Sequence, residues 1–406
     1  MPLREYQKIA VSKMKWGMTL PGNSVICLPT GSGKSHIIAS FVSDIDLPVL
    51  LLCPSREILE QDLEKLRRVV PEEEIGVYSA SMNTKDIKLY TIGTIQSVYK
   101  HPEQFTHYQV CLVDECHEIS PKKLDGMYNQ FFKAIGNPKV FGLTATPFRL
   151  DTFYNNPDGW RNYDGRFWQK KNLEVVTTIK MINRYKQMFW QRILYVINTE
   201  DLINQGYLVP LTYYDWSFVT HQDIPLNKSK SEFDLEAFEK LISEDEQKIV
   251  TRLASIDTKS MIVFCSSVTQ AKRFSRAIKG SDYVSGDTPK KEREKTILSF
   301  RTGRIKTIFN VGVLTQGFDH PQLDAIAIIR PTKSLTLYNQ MLGRGTRVAE
   351  EKDTCRVYDF VGNYKGIGSL ESIKIVKLET GWNVISDTRP YGYHNKELYT
   401  FKIKNE

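Results

Sequence analysis

The run "SVICLPTGSGKSHIIASF" at 24–41 constrains the fold more than any other stretch. A short apolar segment reads as a buried strand, the glycines at 31 and 33 break it, and a helical segment follows Lys34. A strand that feeds a helix through a tight turn starts a crossover. Crossovers build parallel sheets with helices on their faces. The loop has its own chemistry. Its glycines let backbone N–H groups surround phosphate oxygens, and the next helix presents its N-terminus to the same anion. Thr30, Gly31, Ser32 and Gly33 form this cradle, Lys34 adds a point charge for the terminal phosphates, and Ser35 can ligate Mg2+.

The same rhythm recurs. "VLLCPS" leads into "REILEQDLEKLRRVV", and "LYTIGTIQSV", "YQVCLVDE" and "KVFGLTAT" follow. Apolar residues at 58, 59, 63, 66 and 69 give the second helix a face with which to cover a sheet. The stretch 150–245 is turn-rich and breaks the pattern, which resumes with "SMIVFCS", "IKTIFNV", "LDAIAIIRP" and "CRVYDFV". A chain of 406 residues is too long for one core. The expected fold class is α/β: two tandem lobes with parallel, helix-covered sheets, and a cleft between them as the natural nucleotide site. The lobes are set at 1–207 and 208–406, the first including the aromatic-basic segment 150–200. The late "SIKIVKLE" alternates, so it either adds an edge strand or docks back on the core.

Composition narrows the class. The apolar and charged fractions, 41% and 25%, suit a soluble globular protein. A net charge of +8 favours a polyanionic partner, or serves solubility alone. The six cysteines form no CxxC pair and sit in or beside apolar runs. They read as buried thiols of a reducing compartment, with no structural zinc. The opening "MPLREYQ" is no signal peptide, and no run of about 18 apolar residues occurs. A cytoplasmic protein without a membrane span is expected.

Three further blocks carry chemistry. "VCLVDECHEIS" places Asp114 and Glu115 directly after an apolar strand. Adjacent buried carboxylates are costly unless a cation compensates them, so Asp114 is assigned to Mg2+ through water and Glu115 to the attacking water. His117 either relays between nucleotide and partner or caps local polar groups. "GLTATPFR" supplies Thr144 and Thr146, whose hydroxyls can bond toward the acidic block. In "LREYQ", Gln7 offers the donor and acceptor that an adenine edge requires, or faces solvent. "YNQMLGRGTR" sets Gln340, Arg344 and Arg347 beside Gly343 and Gly345. A guanidinium fork suits the oxygens of a transferring phosphoryl group. Arg347 is the expected finger, Gln340 the sensor of water, phosphate or closure, and the glycines give the backbone room.

In order and spacing, these blocks resemble the motifs of superfamily 2 nucleic-acid-dependent ATPases. "LREYQ" is similar to their adenine motif, "PTGSGKS", "DECH" and "TATP" to motifs I, II and III, and "NVGVLTQGFD" and "QMLGRGTR" to motifs V and VI. "TIQS" is similar to a strand-contacting motif, and "VFCSS" and "SGDTPKKER" to motif IV and the element after it. Within the superfamily the chain most resembles the RadD-type DNA repair helicases, through "DECHEIS", "GLTATPFRL", "SGDTP" and "YDFVGN". The resemblance implies two RecA-like domains, ATP and Mg2+, and hydrolysis coupled to DNA in repair or recombination, beside a single-strand-binding protein. It implies nucleotide contacts at Gly317 and Asp319. It departs from that type in one respect: no cysteine follows Cys355, where a zinc-binding tail is expected.

Nucleic-acid contacts are expected at Arg56, Thr94, Gln96 and Ser97 in the first lobe. In the second they are expected at Ser266, Ser267, Lys290, Gly312 and Thr315. The segment 161–192 holds basic residues at 161, 166, 170, 171, 180, 184, 186 and 192. Its Tyr163, Phe167 and Trp168 either stack on bases or fill a small core. Three rivals remain open: an RNA helicase, the motor of a restriction or defence complex, and a nucleic-acid-binding module with a vestigial nucleotide site.

Overall fold

The computed structural model describes residues 2–120, 126–155, 174–185, 189–315, 317–379, 381–386 and 399–402. The chain forms two compact units. One comprises Met1–Arg149, Met181–Leu208 and Gln316–Asp319; the other comprises Leu150–Lys180, Val209–Thr315 and His320–Glu406.

The first unit opens with helix α1 (Glu5–Met18), strand β1 (Asn23–Cys27), α2 (Lys34–Ser43), β2 (Val49–Cys53) and α3 (Arg56–Leu66). It continues through β3 (Ile75–Ser79), β4 (Thr84–Lys85), β5 (Tyr90–Thr94), α4 (Ile95–Val98), β6 (Val110–Asp114), α5 (Met127–Ala134) and β7 (Lys139–Thr144). After β8 (Phe148–Asn155) and β9 (Glu174–Met181), the chain returns to this unit with β10 (Trp190–Val196) and α6 (Thr199–Asn204). Eight strands pair in the order β10-β1-β7-β6-β2-β5-β3-β4. All pairs are parallel except the short edge β3–β4. Every residue of β2, β5 and β6 is buried, as a sheet covered on both faces requires. The sequence hid β10 inside the turn-rich stretch; it pairs Val25 with Ile193 and adds a strand beside β1.

Ser55 starts α3, its hydroxyl accepting from Ile58 N at 3.4 Å. The buried stripe is Ile58, Leu59, Asp62, Leu63 and Leu66. The helix ends before residue 69, so Val69 is half exposed and Val70 takes the inward position. Asp62 is the one charged member of that stripe.

The second unit runs through β11 (Leu211–Asp215), α7 (Leu235–Leu241), α8 (Glu246–Ala254), β12 (Met261–Phe264), α9 (Val268–Ala277), β13 (Ser281–Ser285) and α10 (Lys290–Arg301). Then come β14 (Thr307–Val311), β15 (Ala325–Ile328), α11 (Leu335–Leu342), β16 (Cys355–Asp359) and α12 (Asn363–Ile367). Its six-stranded sheet, β11-β16-β15-β12-β14-β13, is wholly parallel. "SIKIVKLE" joins no edge of it. It forms β17 (Ile373–Leu378), an antiparallel partner of β18 (Gly381–Ser386). Just before β17, the Glu371 carboxylate accepts from Leu211 N at 2.7 Å and from the Tyr213 hydroxyl at 3.0 Å, tying the extension to β11. Strands β8, β9 and β19 (Tyr399–Lys402) form a separate three-stranded sheet.

All six cysteines are buried and free, packed as small hydrophobes. Among the described residues no helix is long and apolar enough to cross a membrane. Tyr163, Phe167 and Trp168 lie outside the described residues.

Candidate functional site

The glycine loop sits between β1 and α2. Gly31 and Gly33 have φ of +85° and +80°, left-handed values that favour glycine. A Cβ on Gly33 would also fall 2.8 Å from Gln7 Nε2. That amide explains the closeness: Gln7 Nε2 donates to Ser32 O at 3.0 Å, and the Tyr6 hydroxyl donates to the same oxygen at 2.6 Å. Gln7 Oε1 accepts from Arg4 N at 3.0 Å. The residue read as an adenine contact therefore also fastens α1 to the loop, which fixes its amide orientation. Nearby, the Arg4 guanidinium lies 4.5 Å from the Tyr207 ring centre.

The acidic block lies at the end of β6, and its parts hold one another. Lys34 Nζ is 3.3 Å from Glu115 Oε1, with both side chains largely buried. His117 Nδ1 is 3.3 Å from Glu115 Oε2 and 2.8 Å from Thr144 Oγ1. Thr144 Oγ1 also accepts from Thr146 N at 3.0 Å. Phosphate-loop lysine, acid, histidine and both threonines thus form one continuous network across three separate sequence blocks. Glu115 has φ +49°, a costly conformation for a non-glycine residue and one that clusters at functional sites. Burial works against its charge, but Lys34 and His117 outweigh that and hold its pKa down at about 2. Asp114 goes the other way: burial first, then Asp62 and Glu115, push its pKa well up, although Lys34 and the Glu115 backbone N–H oppose them.

Sequence reasoning missed Asp62. It is 1% exposed, on α3. Burial pushes its pKa up to about 6, against the nearby Ser35 and Cys53 side chains. Cys53 Sγ donates to Oδ2 at 3.4 Å, while Oδ1 is buried without a hydrogen-bond partner. The signal was present: position 62 falls on the apolar stripe of a helix that otherwise buries only leucine and isoleucine.

Magnesium prefers hard oxygen ligands, keeps several waters, and takes one or two carboxylates plus phosphate oxygens. Ser35 and Asp114 supply such donors. Ser32 Oγ, Asp62 Oδ1 and Thr146 Oγ1 are buried without partners, and such atoms are costly unless water or ligand serves them. Among the described residues no three His, Cys, Asp or Glu side chains could hold an ion unaided.

In the second unit, Gln340 and Arg344 are buried, the first on α11 and the second just beyond it. Arg344 Nη2 donates to Thr315 O at 2.8 Å. Burial, with Arg301 nearby, lowers the Arg347 pKa to about 10. Gly343 has an ordinary helical φ of −61°. Gly345 needs its small size for a packing reason, because a Cβ there would lie 2.6 Å from Cys355 Sγ. Gly317 belongs to the first unit, where Gln61 Nε2 donates to its oxygen at 2.6 Å. A Cβ on Gly317 would fall 2.6 Å from Glu57 Cβ. Asp319 is exposed.

The expected nucleic-acid contacts divide. Thr94 and Ser97 are buried and bond each other at 2.9 Å, and Ser97 Oγ also accepts from Ala80 N at 3.0 Å. Ser266 Oγ donates to Ile329 O at 3.1 Å, and Ser267 Oγ caps α9 by accepting from Gln270 N at 3.1 Å. Arg56 bonds Glu60 and Ser81 O at 2.6 and 2.9 Å. Gln96, Lys290 and Gly312 are exposed. The hydroxyls thus have structural work, while the exposed members are available at the surface.

Residues 1–149 match the family model described as "Type III restriction enzyme, res subunit", and residues 244–349 match the "Helicase conserved C-terminal domain". The IRC3 protein of Saccharomyces cerevisiae, named for an ATP-dependent helicase, is 24% identical over 95% of this chain. The chain spans 54% of that relative's length. Among solved structures, the ATP-dependent Type ISP restriction-modification enzyme LlaBIII bound to DNA superposes on 88% of this chain and 27% of its own, with TM-score 0.62 and 15% identity. Saccharomyces cerevisiae Dbp5 bound to RNA and ADP BeF3 superposes on 88% of this chain and 83% of its own, with TM-score 0.54 and 16% identity. The solved structures show the two-domain RecA-like fold, and the two family matches together indicate a helicase of superfamily 2.

Proposed function

We propose that this protein is a nucleic-acid-stimulated ATPase that translocates on or remodels DNA. The observation that carries the reading is the buried Lys34–Glu115–His117–Thr144 network beside the glycine loop. In the proposed reaction, Lys34 and the loop N–H groups bind the β- and γ-phosphates. Glu115, held ionised by Lys34 and His117, orients the attacking water, and ATP and water yield ADP and phosphate. Ser35 and Asp114 would hold Mg2+, which supplies charge neutralisation on the phosphates when bound. Arg344 and Arg347 contribute positive charge toward the transferring phosphoryl group, and Gln340 senses its departure. Gln7 orients the base, and Gly317 and Asp319 complete the nucleotide contacts. His117, Thr144 and Thr146 link hydrolysis to the nucleic-acid grip, because they bridge the acid to the turn after β7.

DNA is favoured as the track by the match to a restriction-enzyme subunit and by the DNA-bound neighbour. Contacts at Gln96, Lys290, Arg56 and the turn at Gly312 and Thr315 would grip phosphates with little base preference and weaken with salt. Thr94, Ser97, Ser266 and Ser267 would shape those loops. A RadD-type role in repair or recombination, with a single-strand-binding protein as partner, is the finer form of the proposal. The buried free thiols suit the reducing cytoplasm. RNA is the second reading, favoured by the RNA-bound neighbour. ATPase rates with single-stranded, duplex and forked DNA and with RNA, paired with strand displacement, decide between them. Stimulation by DNA over RNA is expected; stimulation by RNA alone overturns the DNA reading.

A further inference from the structure

We propose that Asp62 belongs to the metal side of the nucleotide site, as a positioning residue that accepts hydrogen bonds from the Ser35 hydroxyl and from a metal-bound water. The inference rests on the Mg2+–nucleotide reading above. A hydroxyl that ligates a cation through its oxygen must send its proton to an acceptor, and the acceptor fixes the ligand's orientation. Asp62 stands on α3, which packs against α2, with the Ser35 side chain close by. It is 1% exposed and keeps Oδ1 buried without a hydrogen-bond partner, while its other oxygen is engaged by Cys53 Sγ. It lies close enough to Asp114 for its charge to bear on that carboxylate. The one hydrogen bond to its other oxygen comes from Cys53, a weak donor.

The burial cost distinguishes this role from a structural one. An ionised carboxylate buried beside another destabilises the ligand-free fold, and a cation relieves the cost. Neutralising Asp62 should therefore leave the ligand-free protein as stable as before or more so, and should weaken the metal site.

The test uses the full chain and Mn2+ as the probe ion, followed by electron paramagnetic resonance in the presence of ADP. ADP affinity in EDTA is measured alongside. Asp62→Asn should weaken Mn2+ binding about 10–100-fold, leave metal-free ADP affinity unchanged, and keep or raise Tm. In a cycle with Ser35→Ala, the double variant should lose little more Mn2+ affinity than Ser35→Ala alone. Equal Mn2+ affinity in wild type and Asp62→Asn overturns the inference, as does a fall in Tm or failure of Asp62→Asn to fold, which would reveal a structural carboxylate. If wild-type protein binds neither ADP nor Mn2+·ADP, the nucleotide reading fails first and takes this inference with it.

Discussion

Each unit buries a lysine, and the two are used differently. Lys34 is 9% exposed and has a carboxylate 3.3 Å away, in a chain that runs on to His117 and Thr144. Lys333 is 0% exposed, and its ammonium donates to Lys230 O at 3.2 Å. The nearby Glu232 carboxylate accepts from the Thr332 hydroxyl at 2.8 Å and from Lys333 N at 2.6 Å. Lys333 therefore ties a connector to its sheet, whereas Lys34 stands where glycines leave backbone N–H groups open to an anion. Burial does not mark a functional lysine. Functional character comes from an acid partner in a strained conformation together with unserved polar atoms alongside.

The sharpest way to break this contrast is to remove each lysine. Lys34→Ala should reduce ATP turnover by about 10³-fold and nucleotide binding with it, since the group serves both. It also leaves Glu115 buried with only His117 beside it, at a cost of about 3 kcal/mol in chemical denaturation. Lys333→Ala should lower stability yet leave nucleotide affinity unchanged. Loss of nucleotide binding in the Lys333 variant would show that the second lysine belongs to the site after all.

Glu115→Gln probes the next link. The amide keeps the shape and loses the charge, so turnover should fall about 10²-fold while ATP still binds. Rapid-quench turnover and equilibrium nucleotide binding, measured together, separate the two effects. Unchanged turnover would remove Glu115 from the chemistry and leave it as a counter-ion of Lys34.

The contrast also explains what the sequence disclosed. Lys34, Asp114, Glu115 and Thr144 were legible because a glycine loop after a strand, and acids after another, are arrangements that few folds other than a parallel sheet place together. Strands β1, β2, β5, β6 and β7 of the first sheet and β12, β14, β15 and β16 of the second were legible because burial on both faces demands continuous apolar runs. Strand β10 was not, because "WQRILYV" at an outer edge mixes polar and apolar residues. The local hydrogen bonds of Thr94, Ser97, Ser266 and Ser267 were not legible, because loop geometry, which spacing does not encode, decides them. Gly345 looked like room for an arginine, and it is packing space for Cys355, more than nine residues away in the chain. Asp62 was visible as a charge on an apolar stripe, and would be recovered by asking every such charge for its partner.

The smallest expected effect concerns pH. Burial pushes the Lys333 ammonium down to about 8, against the opposing pull of Glu232. Its unfolded value is about 10.4. Below about 8 the group is protonated in both states and contributes no slope. Between 8 and about 10.4 the unfolded chain binds the extra proton, so this residue makes stability rise with pH. Buried thiols and phenols such as Cys265 and Tyr213, whose pKa values burial raises, slope the opposite way in the same window. The readout is therefore a difference between two proteins. Wild type minus Lys333→Met, followed by thermal unfolding from pH 7.5 to 10, should show wild type gaining a few degrees relative to the variant. Parallel curves would mean that the Lys333 ammonium keeps its ordinary affinity for protons, and the contrast with Lys34 would then rest on the strained Glu115 and the unserved polar atoms beside it.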